Sequence, residues 1–163
     1  MPRRILFVTW AYYPVAAGGA EHQARLQAEA LVRRGHRVTV VCPAGDGASS
    51  GPINGVFVRR LPILDRHPYR TVTFLASLQA YLLARMRSFD LVHVHLANLY
   101  ADLAVLHARV AKRASYLKLA AGGVSGEVGR QRRLARLTRY YAIRHAGAVQ
   151  ALFDAADRFW LEI

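Results

Sequence analysis

With 163 residues, 53% of them hydrophobic and 20% charged, the chain has the size and apolar content of one globular domain, which excludes a disordered tail and a collagen-like fibre. The net charge of +13, from 23 basic and 10 acidic side chains, points to an anionic partner: nucleic acid, lipid headgroup or phosphorylated substrate. The longest uncharged stretch in the middle of the chain, Thr71 to Ala84, has 14 residues, short of the roughly 20 that cross a bilayer, and a single cysteine, Cys42, excludes a disulfide framework, a CxxC redox pair and a cysteine-rich zinc site.

The chain opens with Met-Pro-Arg-Arg and runs at once into the strand-like ILFVTW, without the apolar stretch of a secretory signal, so a cytoplasmic location is expected. From there, β-branched apolar runs alternate with segments of helical period, the pattern of a parallel sheet covered by helices on both faces. Strands are predicted at Arg4 to Trp10, Arg37 to Pro43, Val56 to Leu61, Leu91 to Leu96, Ser115 to Ala121 and Ala148 to Leu152. A first helix is expected from about Gly19 to Arg34, its core stripe drawn from Ala24, Leu26, Ala28, Ala30 and Leu31 and its end marked by Gly35. Further helices are expected over Tyr69 to Met86, Leu99 to Lys112 and Glu127 to His145. The segment GDGASSGPING, Gly45 to Gly55, reads as a surface loop, and the strand after it carries the pair Arg59 and Arg60. Cys42, within VTVVCP, reads as a buried thiol. The final DAADRFWLEI places Ala156, Phe159, Trp160 and Ile163 at helical spacing, a short helix whose large apolar side chains need a partner surface.

Three segments have the composition of a site. After the first strand, WAYYPVAAGGAEHQ ends in Gly18 and Gly19 where the first helix begins; two glycines admit a ligand to the backbone, and the unpaired amides favour phosphate or carboxylate. Glu21 in that first turn complements the helix dipole. Neither GxGxxG nor GxxxxGK[ST] is present, which disfavours a dinucleotide site and a P-loop. The fourth strand, DLVHVHLAN, puts His93 and His95 on one face. His93 reads as a hydrogen-bonded core histidine. His95, at the carboxyl end where doubly wound sheets hold their ligands, is a candidate catalytic residue, with Asn98 just beyond it. After the fifth strand, AAGGVSGEV supplies a second glycine-rich turn, Gly122, Gly123, Ser125 and Glu127, with Ser125 as its helix cap. In the strand order 3-2-1-4-5-6 these loops converge on one cleft.

Taken together, RILFVTWAYYPVAAGGAEHQ, LVRRGHRVTVVCP, DLVHVHLAN, AAGGVSGEV and AVQALFDAADRFW resemble the N-terminal half of a family 4 retaining glycosyltransferase of the GT-B fold. The resemblance implies a Rossmann-like, doubly wound α/β acceptor domain over 1–152, with 153–163 beginning a linker helix towards a C-terminal domain that holds most of the nucleotide sugar. It implies transfer of a sugar from a nucleotide-sugar donor to an acceptor hydroxyl with retention. Gly18 and Gly19 then face the donor pyrophosphate and acceptor. The family's donor-binding Arg/Lys pair and its ExxxxxxxE element belong to that second domain, so this fragment alone is expected to be inactive. Where many relatives carry a histidine directly after the fifth strand, this chain has AAGG. No cofactor is implied beyond the nucleotide sugar as substrate, and with no DxD carboxylate pair no metal is expected. The roles open to such a domain lie in cell-envelope glycan or glycolipid biosynthesis, where acceptors are often lipid-linked. Two rival readings are a stand-alone Rossmann-type ligand- or partner-binding module and a nucleic-acid binder; the second lacks base-stacking aromatics or a reading motif among its basic residues, so no nucleic-acid partner is expected.

The charge is unevenly spread. Leu103 to His145 holds ten basic side chains and one acid, a net of +9. Within it Arg132, Arg136 and Arg139 recur on one helical face beside Leu134, Leu137 and Tyr141, the pattern of a helix lying on an anionic membrane. The expectation is peripheral binding at the inner membrane face, each nearby arginine contributing about 1 kcal/mol. Sedimentation with anionic liposomes should show salt-sensitive binding that neutral liposomes lack and that falls when Arg132, Arg136 and Arg139 are changed to Gln; equal binding by wild type and triple variant would remove this helix from the account.

Overall fold

A computed structural model describes residues 1–14, 18–45, 49–67, 69–96 and 98–118. Six strands form one sheet: β1 (Arg4–Val8), β2 (Arg37–Pro43), β3 (Gly51–Ile53), β4 (Val56–Leu61), β5 (Leu91–His95) and β6 (Ala114–Lys118). Three helices flank it, α1 (Gly19–Arg33), α2 (Tyr69–Arg85) and α3 (Leu99–Val110), with a 3-10 turn over Met86–Ser88. The strand order is β3-β4-β2-β1-β5-β6. All pairs are parallel except the edge pair β3 and β4. This is the doubly wound order that the sequence pattern predicts, with one hairpin strand added at the edge.

The central strands β1 and β2 are largely apolar because both of their faces are covered. Along β1, Leu6 and Val8 join Phe74, Leu78 and Leu82 of α2 and Ala101, Ala104 and Ala108 of α3 in one core. Ile5 and Phe7 point the other way, into a second core with Ala24 and Ala28 of α1, Val38, Val40 and Cys42 of β2, and Val56 and Val58 of β4. Helix α1 meets the sheet through alanines, which lets its axis come close. Leu26, expected inside, lies outside that narrow contact and is 49% exposed. The helix ends as Gly35 indicates: Gly35 has φ +85°, its N–H donates to Val32 O at 2.9 Å, and His36 N–H reaches back to Leu31 O at 3.0 Å, a Schellman closure.

The segment from Gly45 to Gly55 is not all loop. Gly51–Ile53 pairs antiparallel with β4 through the two-residue turn Asn54-Gly55, both with positive φ (49° and 81°). That is the mirror-image turn whose twist suits a tight hairpin, a signal that the loop-like composition around it obscured. Pro52 fits because β3 is an edge strand. The remaining differences are at ends: β1 stops at Val8, α2 passes into its 3-10 turn at Met86, and α3 stops before the turn at Lys112, whose φ is 55°. The strand expected at Ala148 to Leu152, the helix at Glu127 to His145 and the boundary between 152 and 153 lie outside the described residues.

The hairpin turn is fastened to α1. Asn54 Nδ2 donates to Glu29 Oε1 at 2.8 Å, the same oxygen that receives Arg25 Nε at 2.8 Å. A Cβ on Gly55 would stand 2.9 Å from Val32 Cγ1 as well as forcing a side chain onto φ +81°. Gly55→Ala is therefore expected to cost about 1–3 kcal/mol and to lower the melting temperature by roughly 3–10 °C, measurable by thermal unfolding; an unchanged melting temperature would mean the hairpin is not held against α1.

Candidate functional site

The order β2-β1-β5 reverses direction between β1 and β5, so the loops leaving these strands open a crevice at the carboxyl edge of the sheet. Gly18 is the N-cap of α1, with no side-chain cap, and Gly19 is its first residue. The two glycines differ. A Cβ on Gly18 would collide with the Glu21 carboxylate, which turns back over the helix start, whereas a Cβ on Gly19 meets nothing within 4 Å among the described residues. Gly19 therefore leaves open space in front of the first-turn amides, which carry the positive end of the helix dipole.

The loop leading to this start is set by a residue distant in sequence. Arg60 of β4 is 7% exposed, and its Nη2 donates to the carbonyls of Tyr12 at 3.3 Å and Tyr13 at 2.9 Å. Its Nε donates to Ser49 O at 3.3 Å and its Nη1 lies 3.6 Å from Cys42 Sγ. The buried guanidinium thus ties the loops after β1 and β2 to the hairpin strand. Cys42 beneath it is buried, and its thiol is pushed up to about 11 chiefly by burial, so it is inert at neutral pH. On the other face, Trp10 stacks on Tyr100 at 6.3 Å and meets Phe74 edge-on at 5.6 Å, which takes the chain out of β1 two residues sooner than its sequence suggests.

His93 and His95 lie side by side, ring centroids 4.4 Å apart, on the same face as Phe7, whose ring centroid is 4.5 Å from that of His93 and 5.6 Å from that of His95. His93 lies in the core as expected; its Nε2 is buried without a partner among the described residues, and the ring packs against aromatic side chains, including Tyr116 at 4.6 Å. His95 is 1% exposed, its Nε2 equally without a partner among the described residues. Burial first, and the nearby Lys118 ammonium second, lower its pKa from 6.5 to about 4; His93 is also depressed, by burial first and then by His95 and Lys118. His95 is consequently a neutral ring at physiological pH, able to offer one hydrogen bond but no charge.

Just beyond, Leu96 has φ 73°, a strained left-handed conformation for a branched side chain, and its N–H donates to Lys118 O at 3.0 Å. Asn98 is the N-cap of α3, its Oδ1 accepting from Tyr100 N–H at 3.1 Å, while Tyr100 Oη donates to His95 O at 2.8 Å. The structure thus brings Gly18, Gly19, His95 and Asn98 to one edge. Gly122, Gly123, Ser125, Glu127, Arg132, Arg136 and Arg139 lie outside the described residues. Lys118 and Arg60 were not predicted as site residues. Among the described residues no three His, Cys, Asp or Glu side chains are grouped as metal ligands, and no helix is long and apolar enough to cross a membrane.

Residues 18–159 match the family model of the glycosyl transferase 4-like domain. The chain belongs to this family. The chain is 35% identical, over 95 residues, to an uncharacterized glycosyltransferase of Methanocaldococcus jannaschii; the match covers 56% of this chain and 24% of that protein. The match thus spans about a quarter of the length of that curated relative. Among solved structures, the C-terminal domain of a hydrogenase from Pyrococcus furiosus superposes with a TM-score of 0.52 over 72% of this chain and 91% of that one, at 13% identity, a likeness of fold alone.

The two imidazoles make stability pH-dependent. In the unfolded chain His95 titrates near its ordinary 6.5, in the fold only near 4, so the fold keeps its full stability above about pH 6.5 and loses it as pH falls towards 4. From His95 alone the loss by pH 5 is about 2 kcal/mol, and His93 adds to it in the same direction. Urea midpoints at pH 7.5 and 5 check this: His95→Phe should flatten the difference, and an unflattened profile would show that the ring is not buried uncharged.

Proposed function

We propose that this glycosyl transferase 4-like domain is the acceptor-side half of a retaining glycosyltransferase, moving a sugar from a nucleotide sugar to an acceptor hydroxyl, with the nucleotide held mainly by a second domain. The observation that carries the reading is the open start of α1: Gly18 and Gly19 stand at the crevice where the sheet reverses, within the residues matched by the family model. As the bond between the anomeric carbon and the diphosphate breaks, negative charge collects on the departing oxygen. The first-turn amides, already oriented by the helix, stabilise that charge without rearranging, which is the most economical form of electrostatic catalysis.

In this reading Arg60 fixes the approach of the loop to the amides. His95, uncharged, acts by hydrogen bonding at the floor of the crevice rather than as an acid. Asn98 keeps α3 in register with it by capping. Gly122, Gly123, Ser125 and Glu127 are, on their sequence, further candidates for binding the substrates. No metal enters the reading, and a lipid-linked acceptor at the inner membrane face is its preferred substrate class, in keeping with the basic segment from Leu103 to His145.

The test is the complete enzyme with Gly19→Val. Because a Cβ at Gly19 meets no atom within 4 Å among the described residues, the variant should melt within a few degrees of wild type. Turnover should nevertheless fall about a hundredfold, since the added methyls push the substrate from the amides. The anomeric configuration of the product, read by NMR, should match that of the donor. Near-normal turnover in Gly19→Val, an inverted product, or transfer by the 163-residue chain alone would each overturn the reading.

A further inference from the structure

Lys118 is the last residue of β6 and stands in register beside His95 of β5. Its side chain crosses to α1, where Nζ donates to Gln23 Oε1, one turn from the helix start at Gly19. Each neighbour makes this a poor place for a cation in the empty protein. The N-terminal end of a helix carries partial positive charge. Gln23 is a neutral amide, and His95 and His93 are neutral rings. The one acid of the first turn, Glu21, is turned back over Gly18. Among the described residues no carboxylate lies within 4 Å of Nζ to form an ion pair.

Composition singles out the same position. The chain uses 21 arginines and two lysines, Lys112 and Lys118. Lys112 sits exposed in the turn after α3. Lys118 is therefore the one lysine placed at the crevice, a compact ammonium between the tips of β5 and β6 and helix α1. Beside it, His95 Nε2 is buried with no partner among the described residues. A held cation and an unsatisfied imidazole nitrogen beside the start of a helix together lack one thing, an oxyanion.

We propose that Lys118, seated by Gln23, is this chain's ligand for a phosphate-type oxyanion of the substrates, whether the diphosphate of the donor or a phosphate of the acceptor. The proposal deepens the transferase reading and rests on it for the identity of the substrates, not for the binding itself. An anion arriving at Lys118 replaces the neutral Gln23 contact with charge-assisted hydrogen bonds and offsets the repulsion between the ammonium and the helix end.

Two lysines make the experiment self-controlled. The chain is treated briefly with acetic anhydride, alone and with inorganic pyrophosphate or glycerol phosphate, and acetylation at Lys118 and Lys112 is read by mass spectrometry. Pyrophosphate or glycerol phosphate should protect Lys118 severalfold while Lys112 labelling stays constant. Protection by pyrophosphate only assigns the donor diphosphate, and protection by glycerol phosphate only assigns an acceptor phosphate. By calorimetry, Lys118→Gln should weaken binding of the protecting anion about tenfold to a hundredfold, and Lys118→Arg should restore part of it. Lack of protection by either anion, or equal protection of both lysines, overturns the proposal, and the wild-type labelling decides even where a variant fails to fold. Transfer activity in the complete enzyme that survives such a result would leave the transferase reading standing and remove only Lys118 from it.

Discussion

The central strand β1 is hydrogen-bonded in parallel to β2 on one side and to β5 on the other, and the rest of the domain is arranged around this double pairing. Five residues long, β1 feeds alternate side chains into two separate cores: Leu6 and Val8 under α2 and α3, Ile5 and Phe7 under α1. Burying each large aliphatic or aromatic side chain contributes about 1.5–3 kcal/mol, so a one-residue slip of β1 would exchange the two sets and disrupt both cores. The pairing also creates the crevice, because the chain leaves β1 towards one edge and enters β5 on the way to the other. Stability and the location of the site have one cause.

Polar groups around the crevice are arranged by long-range contacts. Arg60 reaches carbonyls 47 and 48 residues earlier in the chain, and Lys118 reaches a glutamine 95 residues earlier. Both are cations that meet neutral acceptors. For Arg60 the result is structural, since three carbonyls absorb its hydrogen bonds and hold the loop. For Lys118, half-buried, burial lowers the pKa, and among the described residues one amide accepts from it and no carboxylate pairs with it. The same chemistry thus serves to fix one side of the crevice and to bias the other towards anions.

What the sequence could reveal follows from the range of each signal. Strand Arg37–Pro43 is legible because burial on both faces leaves a nearly continuous apolar run, Val56–Leu61 because its β-branched residues alternate, and the end of α1 because Gly35 meets a local conformational demand. The hairpin strand Gly51–Ile53 was hidden: its three residues include Gly and Pro, which read as loop. Leu26 misled because helical period cannot tell how narrow a contact will be, and the contact here is two alanines wide. The glycine start of α1 and the histidines of β5 were visible as motifs, and the strand order placed them at one edge. The aromatic packing around His93, and the reach of Arg60 and Lys118, depend on partners brought near only by the complete fold.

The hairpin has a consequence for the molecule among its neighbours in a crowded solution. An open sheet invites another chain to continue it, and the outermost strand here, β3, offers very little to continue. It is three residues long, its middle residue Pro52 has no N–H, and the turn at Asn54-Gly55 twists it sharply towards α1. A foreign strand docking there would find an acceptor without its matching donor at the centre and no length over which to recover the loss. The short strand thus works as a terminator, allowing a long apolar parallel sheet to remain a single molecule on this side.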